Sequence, residues 1–180
     1  NRIRVHLGVG TFIPKPHTPF QWHPVDSMDT IQEKLDFLKA GTRKLGIKLS
    51  YNIPSSTMLE AWLSRGDKRL GEVIHSAWQN GAKFDAWNER FDERAWLTAF
   101  ETQGLSPDFY AFRQKSEDEV LPWDHIGIGV TKSFLLRDLH WSQEGKTRPD
   151  CRTRCFYCGI LDNFEGIRPS VEEAYWGCPE

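Results

Sequence analysis

The hydrophobic pattern of the first fifty residues predicts a strand, a helix and a second strand, in that order. Residues 3–9 alternate apolar side chains with polar ones or glycine, which is the period of a β-strand. Between Ser27 and Gly46 the apolar residues recur every three or four positions, as on one face of an amphipathic helix that Ser27 can cap. Residues 47–52 form the second strand-like run. This order is typical of the βαβ unit of a parallel sheet.

Beyond Pro54 the apolar spacing changes to that of helices. Four amphipathic helices are predicted, at about 55–63, 70–78, 92–102 and 132–139. The stretch 104–130 predicts an irregular connection with a short strand at best. The tripeptide RGD at 65–67 is predicted to be a turn between two helices and not an adhesion motif, because Gly66 can end one helix and Asp67 can cap the next.

Composition indicates a globular chain of one compact domain, or of one domain with a small appendage. The 180 residues are 39% hydrophobic, and the eight tryptophans and eleven phenylalanines favour a packed core or a broad interface. No apolar stretch has the length of a membrane span and no signal peptide is recognisable, so the cytoplasm is the predicted location. The 23 basic residues nearly balance the 25 acidic ones, which argues against a global field that would recruit nucleic acid.

All four cysteines lie in the last thirty residues. Three residues separate Cys151 from Cys155 and two separate Cys155 from Cys158, so a short loop can direct three thiolates at the same ion. Cys178 is the candidate fourth ligand. The spacing predicts a metal site, and it does not distinguish zinc from an iron–sulfur cluster. The alternative is that two of these cysteines form a local disulfide or stay free.

Two further segments carry candidate binding residues. Basic and aromatic side chains mix around the cysteine run, which suits contact with RNA phosphates and bases, although a solvated basic loop is the alternative. The candidate RNA contacts are Arg152, Arg154 and Tyr157.

A proline-rich loop follows the first predicted strand, at the edge where α/β folds place ligands. Its candidate ligand contacts are His17, Thr18, Gln21 and Trp22. The alternative is that this loop only packs against the helices.

Four blocks of sequence resemble one known family. They are TFIPKPHTPFQW, RGDKRLGEVIHSAWQNGAKFDAW, LPWDHIGIGVTKSFLLRDL and TRPDCRTRCFYCG, and they run in this order up to about Gly159. The chain resembles an uncharacterised family of radical S-adenosylmethionine enzymes in which a cobalamin-binding-like domain precedes the radical core. The resemblance implies that the chain is the C-terminal part of a longer enzyme, with its partner domains upstream.

The fold implied by the resemblance is α/β, with three segments. Residues 1–53 would be the terminal βα units of a partial barrel of the radical S-adenosylmethionine type, 54–145 a mostly helical extension, and 146–180 a Cys-rich metal-binding tail. The intact protein would use a 4Fe-4S cluster and S-adenosylmethionine, and possible use of cobalamin follows from the domain order. Substrate or S-adenosylmethionine contact would fall to the loop of His17, Thr18, Gln21 and Trp22, and the substrate, a small molecule or an RNA, is not identified.

The cysteine run itself has the spacing of the radical cluster motif, with Tyr157 before its last cysteine. Only 22 residues follow Cys158, which is too few for a barrel, so we expect the run to be an accessory site and the radical cluster to lie upstream. The chain alone is then expected to be inactive. The alternative function is a non-enzymatic module, stabilised by zinc, that binds RNA or is purely structural.

Overall fold

Two strands and the helix between them form a parallel βαβ unit, as the sequence predicts. The computed structural model describes residues 4–170 and 178. Strand β1 (His6–Val9) pairs in parallel with strand β2 (Lys48–Tyr51), first residue opposite first and last opposite last. Helix α1 (Met28–Lys44) makes the connection. Most residues of both strands are exposed, so the faces of this small sheet are largely uncovered within the described chain.

Helix α1 begins and ends where local chemistry predicts. The Ser27 hydroxyl accepts a hydrogen bond from the Thr30 backbone N–H at 3.2 Å, and Ile31 and Leu35 are buried on one face. Leu45 caps the C-terminal end and is 74% exposed. Gly46 follows at φ 65°, a conformation that turns the chain out of the helix at little cost for glycine.

Helices make up most of the remaining regular structure. Helix α2 starts at Pro54, because proline is already shaped for the first turn and has no N–H to leave unpaired. The short helix α5 lies in the stretch 104–130 that the sequence predicts to be irregular, and α7 lies in the predicted Cys-rich tail, where no helix is predicted. The helices after β2 are α2 (Pro54–Arg65), α3 (Leu70–Gln79), α4 (Glu93–Thr102), α5 (Pro107–Ala111), α6 (Lys132–Gln143) and α7 (Ile160–Asn163), followed by a 3-10 turn at Arg168–Ser170.

The first compact unit comprises the chain up to Pro14 together with His23–Lys115. Its core joins α1 to α2, α3, α4 and α5, and the Trp62 ring meets the Phe100 ring edge-on with centroids 5.3 Å apart. Asp92 caps α4 by accepting from the backbone N–H groups of Arg94 and Ala95. Large buried aromatic side chains therefore hold these helices together.

The second compact unit comprises Lys15–Trp22 and the chain from Ser116 onward. It has its own core of buried side chains: Trp22, Leu121, Trp123, Leu135 and Leu139. The proline-rich loop groups with later residues through Trp22. The helices of 54–145 are likewise shared between the two units. The predicted segments 1–53, 54–145 and 146–180 stay a prediction.

The RGD tripeptide forms the turn that the sequence predicts. Helix α2 ends at Arg65, Gly66 follows, and the Asp67 carboxylate accepts from the Arg69 backbone N–H at 2.9 Å just before α3. Arg65 is fully buried, so this guanidinium is not presented at the surface. Among the described residues no helix combines the length and apolar character needed to cross a membrane. The described fold is mixed and mostly helical, with a small two-stranded parallel sheet.

Candidate functional site

The carboxyl ends of β1 and β2 open into a cleft of about 210 Å³, which we call the strand-end cleft. Its floor includes Tyr51 and Asn52 after β2 and the segment 9–12 after β1, and its wall is the face of α1 that carries Ile31 and Leu35. Parallel strands end side by side at this edge, which is where α/β folds collect ligand groups. The sequence analysis did not single out Tyr51 or Asn52, although their position directly after a predicted strand was available as a signal.

Lys34 of α1 and Asp26, which precedes the helix, line the strand-end cleft, and Lys39 of α1 approaches its Tyr51 ring. The Lys34 ammonium pairs with the Asp26 carboxylate at the cleft wall. Lys39 lies with its ammonium 4.9 Å from the centre of the Tyr51 ring. The hydrogen bond that Lys39 Nζ donates to the Asp36 carboxylate raises the pKa of Lys39 above its ordinary value. The cleft is therefore a mixed apolar and polar space with a cationic side chain held over the phenol at its floor.

The proline-rich loop is tied by the buried Gln21 side chain. Its Oε1 accepts from the His17 backbone N–H at 3.0 Å and from the Trp123 indole Nε1–H at 2.6 Å. The Thr18 hydroxyl donates to the Lys15 carbonyl at 2.7 Å, which closes a local turn. His17 takes a left-handed conformation with φ 56°, uncommon for any residue other than glycine. A conformation of this kind persists only where surrounding contacts fix it.

Of the four predicted ligand contacts in this loop, His17 and Gln21 line a cleft and the other two have different roles. Thr18 is committed to its turn. Trp22 is completely buried in the core with Leu121 and Leu139, so no part of its side chain faces solvent. Trp22 thus packs in the core and has no contact with a ligand space, in line with the alternative that this loop serves packing.

His17 and Gln21 share their cleft, of about 220 Å³, with residues from more than a hundred positions later in the chain. We call this space the His17 cleft. Asp124, Lys132 and the glycine-containing segment 126–130 line it, together with Asn163. The His17 Nε2 atom is buried and has no hydrogen-bond partner among the described residues. A residue that lines the cleft therefore carries a buried polar atom whose hydrogen-bonding capacity is unused.

Asp124 and Lys132 form an ion pair at the wall of the His17 cleft. Asp124 Oδ2 accepts from Lys132 Nζ at 2.6 Å and from the Leu121 backbone N–H at 2.8 Å, and Lys132 Nζ also donates to the Glu119 carbonyl at 2.7 Å. These bonds engage the Asp124 carboxylate and give it a structural role.

The cysteine run has local geometry that suits a thiolate ligand. The Tyr157 backbone N–H points at Cys155 Sγ with a separation of 3.4 Å, and Tyr157 adopts φ 54°. Hydrogen bonds to cysteine sulfur are among the features that tune metal-bound thiolates. The Cys158 carbonyl accepts from the Thr131 N–H at 2.8 Å, which fixes the run to the start of α6. Cys151 is exposed, and Cys155 and Cys158 are partly buried.

The thiols are not gathered into a ligand set in this structure. Within residues 4–170 and 178, no three side chains of the His, Cys, Asp or Glu type are grouped so that they could hold an ion. Cys178 is partly buried, and its immediate neighbours in sequence lie outside the described residues. The metal site of Cys151, Cys155, Cys158 and Cys178 therefore stays a prediction.

The basic residues of the tail divide into anchored and exposed ones. Arg148 lies over the rings of Trp141, Phe134 and Phe156 and pairs with Asp138, which makes it an anchor of this segment. The predicted RNA contacts are at the surface: Arg152, Arg154 and Tyr157. Tyr157 is 81% exposed.

The Arg152 side chain is already engaged with the Asp150 carboxylate. Their closest approach is 2.6 Å, and the Arg152 backbone N–H donates to the same carboxylate at 2.9 Å. The hydrogen bond from the Arg152 side chain, supported by the backbone one, lowers the pKa of Asp150 to about 2. Arg154 instead lies over the Phe156 ring, 5.8 Å from its centre.

The comparisons with known proteins give one partial similarity. An uncharacterised protein of Methanocaldococcus jannaschii is 30% identical over 71 residues, which is 39% of this chain and 16% of that protein. The chain thus matches well under two thirds of that relative's length. No family model and no solved structure matches the chain.

Proposed function

We propose that this chain is the C-terminal portion of a radical S-adenosylmethionine iron–sulfur enzyme, in which the βαβ unit supplies the terminal part of a partial barrel. The exposed parallel sheet supports the proposal most directly. Parallel strands are normally covered on both faces and continued by further strands. Here Leu7 is 38% and Tyr51 43% exposed, although both belong to paired strands. A sheet with this exposure has the character of the end of a larger one.

The strand-end cleft is the proposed contribution of this chain to the substrate chamber. When bound, S-adenosylmethionine and its 4Fe-4S cluster would supply the radical chemistry. The residues of this chain would position the substrate and exclude water, with Asn52 and Thr11 offering hydrogen bonds and α1 an apolar wall. Cobalamin use in the intact protein belongs to the same proposal. So does a cytoplasmic location, where thiols remain reduced.

The cysteine run is the proposed accessory metal site of that enzyme. Cys151, Cys155, Cys158 and Cys178 would hold zinc or an auxiliary iron–sulfur cluster. The N–H bond to Cys155 Sγ and the fixed Cys158 carbonyl support the proposal, because they pre-shape the turn between two of the ligands.

Metal analysis tests the accessory site. The chain is purified without oxygen, and iron, zinc and sulfide per chain are measured beside the visible spectrum, for the natural protein, Cys155→Ser and the control Thr147→Ser. Iron with sulfide, lost in Cys155→Ser alone, would support an auxiliary cluster. Zinc lost in the same variant would support a structural clamp. Absence of both metals from the natural chain would refute the accessory site.

Activity of the full-length protein tests the enzyme class. Under reducing conditions without oxygen, the protein that carries this chain behind its upstream domains should consume S-adenosylmethionine, and the present chain alone should not. A full-length protein with intact iron–sulfur clusters that leaves S-adenosylmethionine unchanged would refute the radical function while leaving the accessory metal site standing.

A second candidate function is RNA binding by the tail, and the 81% exposure of Tyr157 favours it. An exposed aromatic ring beside Arg154 can stack a base while the guanidinium contacts phosphate. If so, affinity for single-stranded RNA should fall steeply with salt and with Tyr157→Ala or Arg154→Ala. Arg152→Ala should weaken it less, because Asp150 already engages that side chain. Arg94→Ala in α4 is the control, and binding that ignores both salt and these changes would refute this function.

A further inference from the structure

The His17 cleft has the chemistry of a small-ligand site that the radical proposal does not require. His17 lines the cleft, and its Nε2 atom is buried and bonds to none of the described residues. Leaving a buried polar atom unsatisfied costs about 1–3 kcal/mol. The left-handed backbone of His17 adds strain of the kind found at binding sites. Both costs are offset if a ligand bonds to this imidazole.

The glycine-containing segment on the other wall supplies a row of hydrogen-bond donors. No hydrogen bond within the described part of the chain uses the backbone N–H of Gly127, Ile128, Gly129 or Val130. All four residues line the cleft. Successive free backbone N–H groups in an irregular loop are a common way to bind anionic oxygen atoms. Glycine at position 127, where an added Cβ would meet nothing within 4 Å, lets a ligand approach the backbone closely.

The segment is also held rigidly, as a binding loop should be. The Asn163 side-chain amide donates to the Gly129 carbonyl at 2.8 Å and to the Gly159 carbonyl at 2.9 Å. Gly129 has φ 84°, and an added Cβ there would lie 2.4 Å from the Phe164 ring. The loop is therefore fixed through its Gly129 carbonyl and the packing of Gly129, while its backbone N–H groups are bonded to no described residue.

The charges of the cleft decide between a cationic and an anionic ligand. The carboxylate of Asp124 would attract a cation, yet Lys132 neutralises it at 2.6 Å and the Leu121 N–H occupies it further. Two sets of groups are left without a partner among the described residues: the row of backbone N–H groups, and the His17 Nε2 atom, which donates in the tautomer that carries its proton there. A neutral ion pair with an excess of unused donors favours an anionic acceptor over a metal ion.

We propose that the His17 cleft binds a small oxyanion, a phosphate or carboxylate group, between the His17 imidazole and the backbone N–H groups of Gly127–Val130. The cleft volume of about 220 Å³ equals that of about seven water molecules, which accommodates such a group with a short organic extension. Gln21 positions His17, because its Oε1 accepts a hydrogen bond from the His17 backbone N–H. The site stands whether or not the chain belongs to a radical enzyme.

Inorganic phosphate is the probe for this site. Nitrogen-15 NMR of the whole chain is recorded during titration with phosphate at constant ionic strength, with chloride as the exchanged anion. We expect saturable shifts in the amides of Gly127–Val130 and in the His17 imidazole. A parallel titration with acetate shows whether the site prefers a phosphate or a carboxylate group. A saturable shift of these resonances with either anion supports an oxyanion site. No saturable shift from either anion, with a folded spectrum, would overturn the proposal.

Two variants with opposite expected effects on the affinity for phosphate make the test specific. Asp124→Asn keeps an acceptor for the Leu121 N–H but removes a negative charge, so phosphate should bind about fivefold more tightly. His17→Asn tolerates the left-handed backbone but removes the imidazole, so binding should weaken about fivefold. His140→Gln, on an exposed ion pair with Glu117 in the same unit, should change nothing. Equal affinities in the two cleft variants would overturn the site, and retained amide dispersion in both shows that they remain folded.

Discussion

The buried guanidinium of Arg65 donates its Nε–H to the backbone carbonyl of Tyr110 at 2.9 Å, across 45 positions of sequence. The same guanidinium donates to the carbonyls of Arg113, at 2.8 Å, and of His23. A side chain at the end of α2 thus donates hydrogen bonds to backbone carbonyls on two other segments of the first unit. Such groups must be paired when they are buried, so Arg65 acts as a three-way hydrogen-bond clamp.

We expect Arg65→Met to destabilise the first unit by about 3 kcal/mol or more. Methionine fills part of the volume but leaves three carbonyls without this donor, at about 1–3 kcal/mol for each one that stays buried. Urea unfolding followed by tryptophan fluorescence measures the change in the free energy of unfolding. Arg94→Met, on the exposed face of α4, is the matched control and should stay within about 0.5 kcal/mol. Equal effects of the two changes would contradict the clamp.

The sequence predicted the parts of this fold that local chemistry controls. Ser27, with Ile31 and Leu35 on one face, marks α1 because capping and helical periodicity depend on near neighbours. Helix α5 was missed because its five residues are too few to show a period. Tyr110 and Ala111 are buried there because of distant packing that a local window does not contain.

The candidate sites show the same limit. The loop pattern indicated His17 and Gln21, and both line a cleft, but their partners Asp124 and Lys132 come from far along the chain. The hydrogen bond between Gln21 and Trp123 spans 102 positions of sequence, and no local sequence pattern at either residue predicts it. Trp22 is predicted as a ligand contact on the same ground as His17, its place in the proline-rich loop. Its large apolar side chain is buried in the core instead, where burial stabilises the fold.

The pKa of the Asp150 carboxyl group should be well below that of an ordinary aspartate. The bonds from the Arg152 side chain and backbone N–H stabilise its ionised form and hold its pKa at about 2, against an ordinary value of 3.8. Because the folded pKa is lowered, the contribution of this pair to the order of the tail is complete above pH 3.8 and is lost as the pH falls through about 2.

The carbon-13 shift of the Asp150 carboxyl group, followed against pH, measures this value directly. Arg152→Gln should move the midpoint up toward 3.8, since it removes the largest cause of the shift. Arg154→Gln is the control, because Arg154 lies over the Phe156 ring and should leave the midpoint near 2. A natural protein that titrates at the ordinary value would show that the pair does not form in solution.

Gly129 and Gly127 should respond differently to the same substitution. Gly129 sits at φ 84°, and an alanine Cβ there would meet the Phe164 ring at 2.4 Å and the Ile160 side chain at 2.9 Å. At Gly127 an added Cβ meets nothing within 4 Å. We expect Gly129→Ala to cost about 1–3 kcal/mol, and Gly127→Ala to lie within about 0.5 kcal/mol of the natural protein. Thermal unfolding measures both, and an equal loss from the two alanines would contradict the close packing at Gly129.

Arg148 should anchor the cysteine run through stacking as well as charge. Its guanidinium carbon lies 4.1 Å from the centre of the Trp141 ring and 5.2 Å from that of Phe156, and it pairs with the partly buried Asp138. Lysine keeps the charge but lacks the planar group that stacks on rings. We therefore expect Arg148→Lys to cost about 1–2 kcal/mol and to loosen the tail.

Hydrogen exchange measures that loosening residue by residue. In Arg148→Lys, the amide of Thr131, which donates to the Cys158 carbonyl, should exchange faster, while amides inside α1 keep their rates. Lys146→Ala is the control, since Lys146 forms an exposed pair with Glu144 and such pairs contribute little. Unchanged exchange at Thr131 would mean that the cysteine run is held by its own turn and not by the aromatic rings around Arg148. In that case a bound metal, if present, would stabilise a turn that is already formed.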